Sequence, residues 1–195
     1  RAASKEEPGY RRVAELAERI GGDLRTVQVG TLPPEDARSL AMSLIEGTSL
    51  DGAPAASSIA EAAGGHPLFI DELVRQRRLR KDTSGPMRLD EALFARVSAL
   101  EPAARGVLTV VALAGTPLVQ DTAARAAGMD FGALSRVVTH LRTQNLVRTG
   151  GARRSDLVEP YHDRVREAVV ERLEPDARRS LHEKLAVALE ASGDA

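Results

Sequence analysis

The sequence predicts a mainly α protein: a small helical-bundle domain, then a winged-helix domain with a short β-hairpin, with a residual strand near the N-terminus. Three observations carry this. Apolar residues recur at helical spacing along most of the 195 residues. Aromatic residues are only 3% with no Trp, so the core is Leu, Val and Ala, which suits helix packing better than a sheet sandwich. Two short β-type runs between residues 146 and 158 flank a Gly- and Arg-rich loop of hairpin type.

Taken in order, residues 7–20 read as a helix, with Val13, Leu16, Ala17 and Ile20 at i, i+3, i+4, i+7 and Gly21-Gly22 as its stop. Residues 24–29 alternate with period two. A lone strand is not stable, so its neighbours are expected in sequence preceding Arg1. Pro33-Pro34-Glu35-Asp36 opens the next helix, with Pro in its first turn and acids at the positive dipole end. Ala37, Leu40, Ala41, Leu44 and Ile45 form its stripe, and Gly47 ends it. A small-residue helix covers about residues 56–63. Gly64-Gly65-His66-Pro67 breaks the chain, and Pro67 starts a helix carrying Leu68, Phe69, Leu73 and Val74. That helix ends in Arg75 to Arg80, read as a solvated helix end, and residues 81–86 read as a linker.

Beyond the linker, Leu89, Leu93, Val97 and Leu100 make one helix. A second runs from Pro102 to Gly115, and a short one from Asp121 to Ala127. Asp130 caps a fourth, with Leu134, Val137, Val138 and Leu141 inward. Leu146-Val147-Arg148 and Asp156-Leu157-Val158 follow as strands. Three helices and then a hairpin is the layout of a winged helix. Two amphipathic helices close the chain, on Val165, Val169 and Leu173, then on Leu181, Leu185 and Leu189. The expected domains are residues 1–30, 31–82, 88–160 and 161–195.

Composition excludes several classes of function. With 43% hydrophobic and 28% charged residues the chain is neither disordered nor fibrous. A net charge of −1 creates no global field toward nucleic acid or an anionic membrane. All but three of the 27 basic residues (Lys5, Lys81 and Lys184) are Arg. The absence of Cys excludes disulfides, Cys-ligated zinc and thiol catalysis. No apolar run reaches a membrane span and no signal peptide is visible, so a cytoplasmic location is expected. The chain begins at Arg1 without Met, and is expected to be an excised piece of a longer protein. Catalytic motifs are missing too: there is no Gly-Lys pair for a P-loop, no Gly-x-Ser-x-Gly elbow and no His-Glu-x-x-His. No metal site and no catalytic residue is expected of this chain.

Two segments stand apart: residues 62–73, containing Gly64-Gly65-His66-Pro67-Leu68-Phe69, and residues 159–168, containing Tyr161-His162-Asp163-Arg164. Both resemble segments of the STAND class of AAA-related signalling ATPases. These proteins run from P-loop core to helical domain to winged helix to sensor region. The first segment is similar to the Gly-x-Pro element of the helical domain, in the Gly-Asn-Pro-Leu-Phe form of bacterial members. The second is similar to the His-Asp motif that ends the winged helix, Met-His-Asp in plant immune receptors. The run into Leu32-Pro33-Pro34-Glu35-Asp36 resembles the end of the ATPase core. Arg1 stands where the family has an Arg after its sensor-1 strand. The likeness covers nearly the whole chain in the family's order. The bacterial subgroup with this tail, through residues 173–182, is often fused to serine/threonine kinase domains or transcriptional regulators. The departures are the missing Walker A and B motifs, Tyr161 for Met or Phe, and His66 for Asn.

The resemblance implies a nucleotide site shared with an absent core, binding ATP or ADP with magnesium in the full-length protein and nothing tightly in this chain. Gly65 and Pro67 would meet the base, with Pro67 as a flat surface lacking an N–H. His162 would offer a ring N–H to a β-phosphate, in a charge-assisted bond, and Asp163 would cap the following helix or orient the His. Arg1 completes the set. On local grounds alone, Gly65-His66-Pro67 serves equally as a turn between helices with His66 as cap. His162-Asp163 likewise serves as a helix start after a strand.

The function expected is therefore a regulatory lid that senses ADP or ATP. Its partners would be the ATPase core and effector domain of the same parent chain, with no membrane. The alternative is a DNA-binding winged helix, with Arg136, His140 and Arg142 on the recognition helix and Arg148, Arg153 and Arg154 on the wing. A protein-interaction scaffold is the third reading.

Overall fold

The computed structural model describes residues 8–20, 30–46, 52–79 and 88–193. The chain divides into two compact units after Pro86. The expected strand at 24–29, the stops at Gly21-Gly22 and Gly47, the linker at 81–86 and Arg1 lie outside the described residues. Among the described residues no helix is long and apolar enough to cross a membrane. The protein is mainly helical, with one small antiparallel sheet among the described residues.

The first unit contains α1 (Pro8–Ile20), α2 (Pro34–Ile45), α3 (Gly52–Ala62) and α4 (Pro67–Leu79). Helix α2 packs on both α3 and α4. Its inward side is narrower than its periodicity suggests. Ala37, Ala41 and Ile45 are buried, while Leu40 and Leu44 are half-buried at its edges. Small residues on α2 (Ala37, Ala41) and α3 (Ala55, Ala56, Ala60) let the helices approach closely, and Ile59 of α3 with Phe69, Ile70 and Leu73 of α4 complete the core. The basic end of α4 is more than a solvated end, because the Arg78 guanidinium donates to the Leu44 carbonyl in the last turn of α2. The amphipathic face of α1 is not covered: Val13, Leu16 and Ile20 are 60%, 55% and 71% exposed.

The second unit contains α5 (Leu89–Ser98), α6 (Pro102–Ala114), β1 (Leu118–Val119), α7 (Gln120–Ala126), α8 (Phe131–Thr143), β2 (Val147–Thr149), β3 (Leu157–Pro160), α9 (Asp163–Val170) and α10 (Pro175–Ser192). From α6 to β3 this is the winged-helix order. The sheet runs β1-β3-β2, with Leu118 opposite Val158 and Arg148 opposite Glu159. Strand β1 has no counterpart in the sequence reading: two residues after a Pro carry no periodic signal, and only pairing with β3 makes them a strand. Helix α6 is the central element. Val107, Leu108, Val110, Val111 and Leu113 are buried in it, each contributing roughly 1.5–3 kcal/mol of transfer free energy. Helices α7, α8, α9 and α10 all pack against it, so α9 and α10 share one compact unit with the winged helix.

Two helix ends explain local sequence choices. Helix α3 closes in a Schellman motif, with Gly65 N–H on the Ala60 carbonyl, Gly64 N–H on that of Glu61, and Gly64 at φ 57°. Helix α8 closes the same way with Asn145, at φ 53°, in the left-handed position. The Leu146 N–H reaches the Leu141 carbonyl, and both side chains are fully buried.

Candidate functional site

The first motif turn is built by steric necessity. Gly65 is buried at φ 73°, and a Cβ there would come 2.5 Å from the Leu32 carbonyl oxygen. The Leu32 N–H donates to the Gly65 carbonyl at 2.8 Å. The close approach expected of Gly65 toward a base is thus made to the chain's own segment leading into α2. A Cβ has no room on that side, which is why the position takes glycine. Pro67 is different. It is exposed at the first position of α4, where its missing N–H costs nothing. The His66 carbonyl receives the N–H groups of Phe69 and Ile70, both at 3.0 Å, and the His66 ring stacks on Phe69 with centroids 4.5 Å apart. Behind this turn Glu72 is only 1% exposed, a buried carboxylate whose position in α4 gave no sequence signal. Gln76 Nε2 donates to it at 3.4 Å.

The second motif turn is built by hydrogen bonding. His162 is the N-cap of α9, with extended backbone, and its Nδ1 accepts the Arg164 N–H at 3.1 Å. A ring that accepts at Nδ1 is neutral and carries its proton on Nε2. Burial pushes its pKa below the ordinary histidine value, against the opposing pull of Asp163. One expectation is corrected here. The cap is His162 itself, with Asp163 the first helical residue, its carboxylate at the positive end of the helix. A bond from this neutral ring to an anion would be charge-assisted by the anion alone, as expected of His162. The turn is fixed from both directions. Tyr161 N–H donates to the Leu146 carbonyl at 3.0 Å, joining it to the start of the hairpin. Arg164 reaches Asp90 on α5 at 3.5 Å, and Arg172 lies 4.0 Å over the Phe94 ring one turn further along α5.

The winged-helix surface holds the alternative set of residues. Arg148 pairs with Glu159 across the hairpin at 2.9 Å. Arg154 pairs with Asp121 at 2.6 Å and lies 4.7 Å over the Phe131 ring. His140 Nε2 sits 2.8 Å from Gln144 Nε2. Arg136 and Arg142 on α8 and Arg153 and Arg154 on the wing are all exposed to solvent. The wing is itself tied down. Fully buried Gln120 donates from Nε2 to the Gly151 carbonyl at 2.9 Å. The Gln120 and Asp121 N–H groups, at the start of α7, meet the Asp156 and Arg154 carbonyls, both at 3.0 Å. Sequence reasoning missed Gln120, since one amide in a short helix carries no pattern.

Arg1 lies outside the described residues. The other motif residues fall into two local pairs, Gly65 with Pro67 in the first unit and His162 with Asp163 in the second. Among the described residues no group of three His, Asp or Glu side chains could hold a metal ion. No family model matches the chain, and no curated protein matches it.

Proposed function

We propose that this chain is the regulatory lid of a cytoplasmic, nucleotide-switched bacterial signalling ATPase, comprising its helical and winged-helix domains. The P-loop core and a fused effector, a serine/threonine kinase or transcription regulator, would belong to the same parent protein. The observation that carries the reading is the chemistry of the two motif turns. One ends in an exposed Pro67 that can lie flat on a base. The other holds His162 as a neutral ring with its proton on Nε2, oriented by the Nδ1 cap. Such a ring donates to a phosphate oxygen without first needing to be charged. Nucleotide exchange then acts by differential contact, because a lid that grips the diphosphate form better is released by the triphosphate.

The test uses a protein carrying this chain behind a P-loop core. His162→Asp keeps an N-cap acceptor and replaces the Nε2 donor with a negative charge. ADP should then leave faster than from the unsubstituted protein, and equal release rates would overturn the reading. ATP and magnesium added to the 195-residue chain alone should give no phosphate above background. Salt-sensitive retardation of random duplex DNA, weakened by Arg136→Ala and Arg142→Ala, would favour the nucleic-acid alternative instead.

A further inference from the structure

Helix α10 is held differently from every other helix of its unit. It has eighteen residues, yet Leu185 and Ala188 are its only buried ones. Residues 175–184 include none. Helix α6, with thirteen residues, buries eight. Open grooves run along both flanks of α10. One, of about 550 Å³, lies between its Ser180–Ala191 face and residues 125–128 at the end of α7. The other, of about 440 Å³, separates Leu185 and Leu189 from the end of α6 and from β1. Val187 is 66% exposed.

Polar ties to the rest of the unit gather at the last two residues of α10. The Thr122 and Ser192 hydroxyls are 2.9 Å apart, and Arg125 Nη1 donates to the Ala191 carbonyl at 3.1 Å. Arg125 is in turn aligned by Asp121, which takes its Nε and Nη2 on Oδ2 at 3.1 and 2.8 Å. The other oxygen of that carboxylate holds Arg154 of the wing at 2.6 Å. Both arginines pull the Asp121 pKa below the ordinary carboxylate value.

We propose that α10 is a strap latched at its C-terminal end, able to lift from α6 and α7 while they stay folded, and that Asp121 couples the latch to the wing. Two buried residues in eighteen, with the polar ties confined to one end, are the marks of an element that opens below the global unfolding free energy. A single carboxylate serving two cations makes the wing and the latch answer to the same group. When Arg154 leaves, Asp121 is free to reorient and Arg125 loses its alignment toward the Ala191 carbonyl. The device is independent of any bound nucleotide.

Amide hydrogen exchange on the full chain tests it. Residues 178–190 should exchange faster than α6 and α8, and equally slow exchange would overturn the strap. The chain has no Cys, so Thr122→Cys with Ser192→Cys creates one unique disulfide across the latch. Its oxidation should slow exchange in α10, and its reduction should restore it; no change on oxidation would refute the latch. Arg154→Met removes the wing's cation and leaves the α10 contacts untouched. It should quicken exchange in α10 by roughly two- to fivefold, the scale of an exposed ion pair. In the Asp121→Asn background the same substitution should add nothing; an undiminished effect there would overturn the coupling.

Discussion

Two histidines each stand one residue before a helix, and the protein uses them in opposite ways. At α4 the backbone does the work. Gly64 and Gly65 take left-handed conformations, Pro67 presets the first turn, and the His66 carbonyl opens the helix while its ring stacks on Phe69. At α9 the ring does the work, with Nδ1 of His162 taking the place of a carboxylate or hydroxyl cap. The first device is steric. The second is electrostatic, depends on the protonation state of one nitrogen, and can be replaced by any good acceptor. A His-containing turn in a sequence therefore does not say which of its parts is essential.

The contrast can be broken at either turn. The largest effect is expected from Gly65→Ala, which forces a left-handed φ on a residue with a Cβ and drives that Cβ into the Leu32 carbonyl. Chemical denaturation followed on the first unit should show a loss of about 2–3 kcal/mol. A loss below that of an ordinary surface change would mean that the Leu32 segment yields. Next comes His162→Ala, which removes the α9 cap and should cost about 1 kcal/mol in the second unit, while His162→Asn should restore most of it. If Asn fails to restore, the ring is held for packing rather than for its nitrogen.

A pH series sharpens the same point. The folded-state pKa of His162 lies below its ordinary value of 6.5, so its contribution is complete above that pH. It is lost as the pH falls through the lowered value, because the unfolded chain takes up the proton first. His162→Asn should flatten this part of the stability profile, whereas Gly65→Ala should shift the whole profile without changing its shape. A separate loss at lower pH is expected from Asp121 and Asp130. Arginine hydrogen bonds hold the first below 3.8, and the Ala133 N–H holds the second there, so each contribution fades as the pH drops under that value. The smallest effect on stability belongs to Pro67→Ala. The residue is exposed at the first helical position, and the change should stay within about 1 kcal/mol. If nucleotide affinity of the parent protein drops as well, Pro67 is a contact surface rather than a helix starter.

Much of the fold was legible in the chain. Helices α2 to α10 appear where apolar residues recur at helical spacing, and Pro34, Pro67 and Pro102 each stand at a helix start. Asp130 caps α8 through the Ala133 N–H, as its position before an apolar run predicts. The hairpin lies within about two residues of its expected strands. What escaped notice depends on partners distant in sequence. Leu118-Val119 is a strand only because Val158 and Leu157 are beside it. Gly65 answers to Leu32, more than thirty residues away. Two of the wing arginines, Arg148 and Arg154, pair with Glu159 and Asp121 from other elements.

The amino-acid sequence alone determined the helical class, the hairpin, the Asp130 cap and the absence of any complete catalytic motif. Each follows from residues within a turn or two of one another, where spacing and backbone preference are enough. Tertiary structure decided which faces are covered and which cations are paired. Burial and hydrogen bonding are contracts between segments far apart in the chain, and no local pattern encodes the second party.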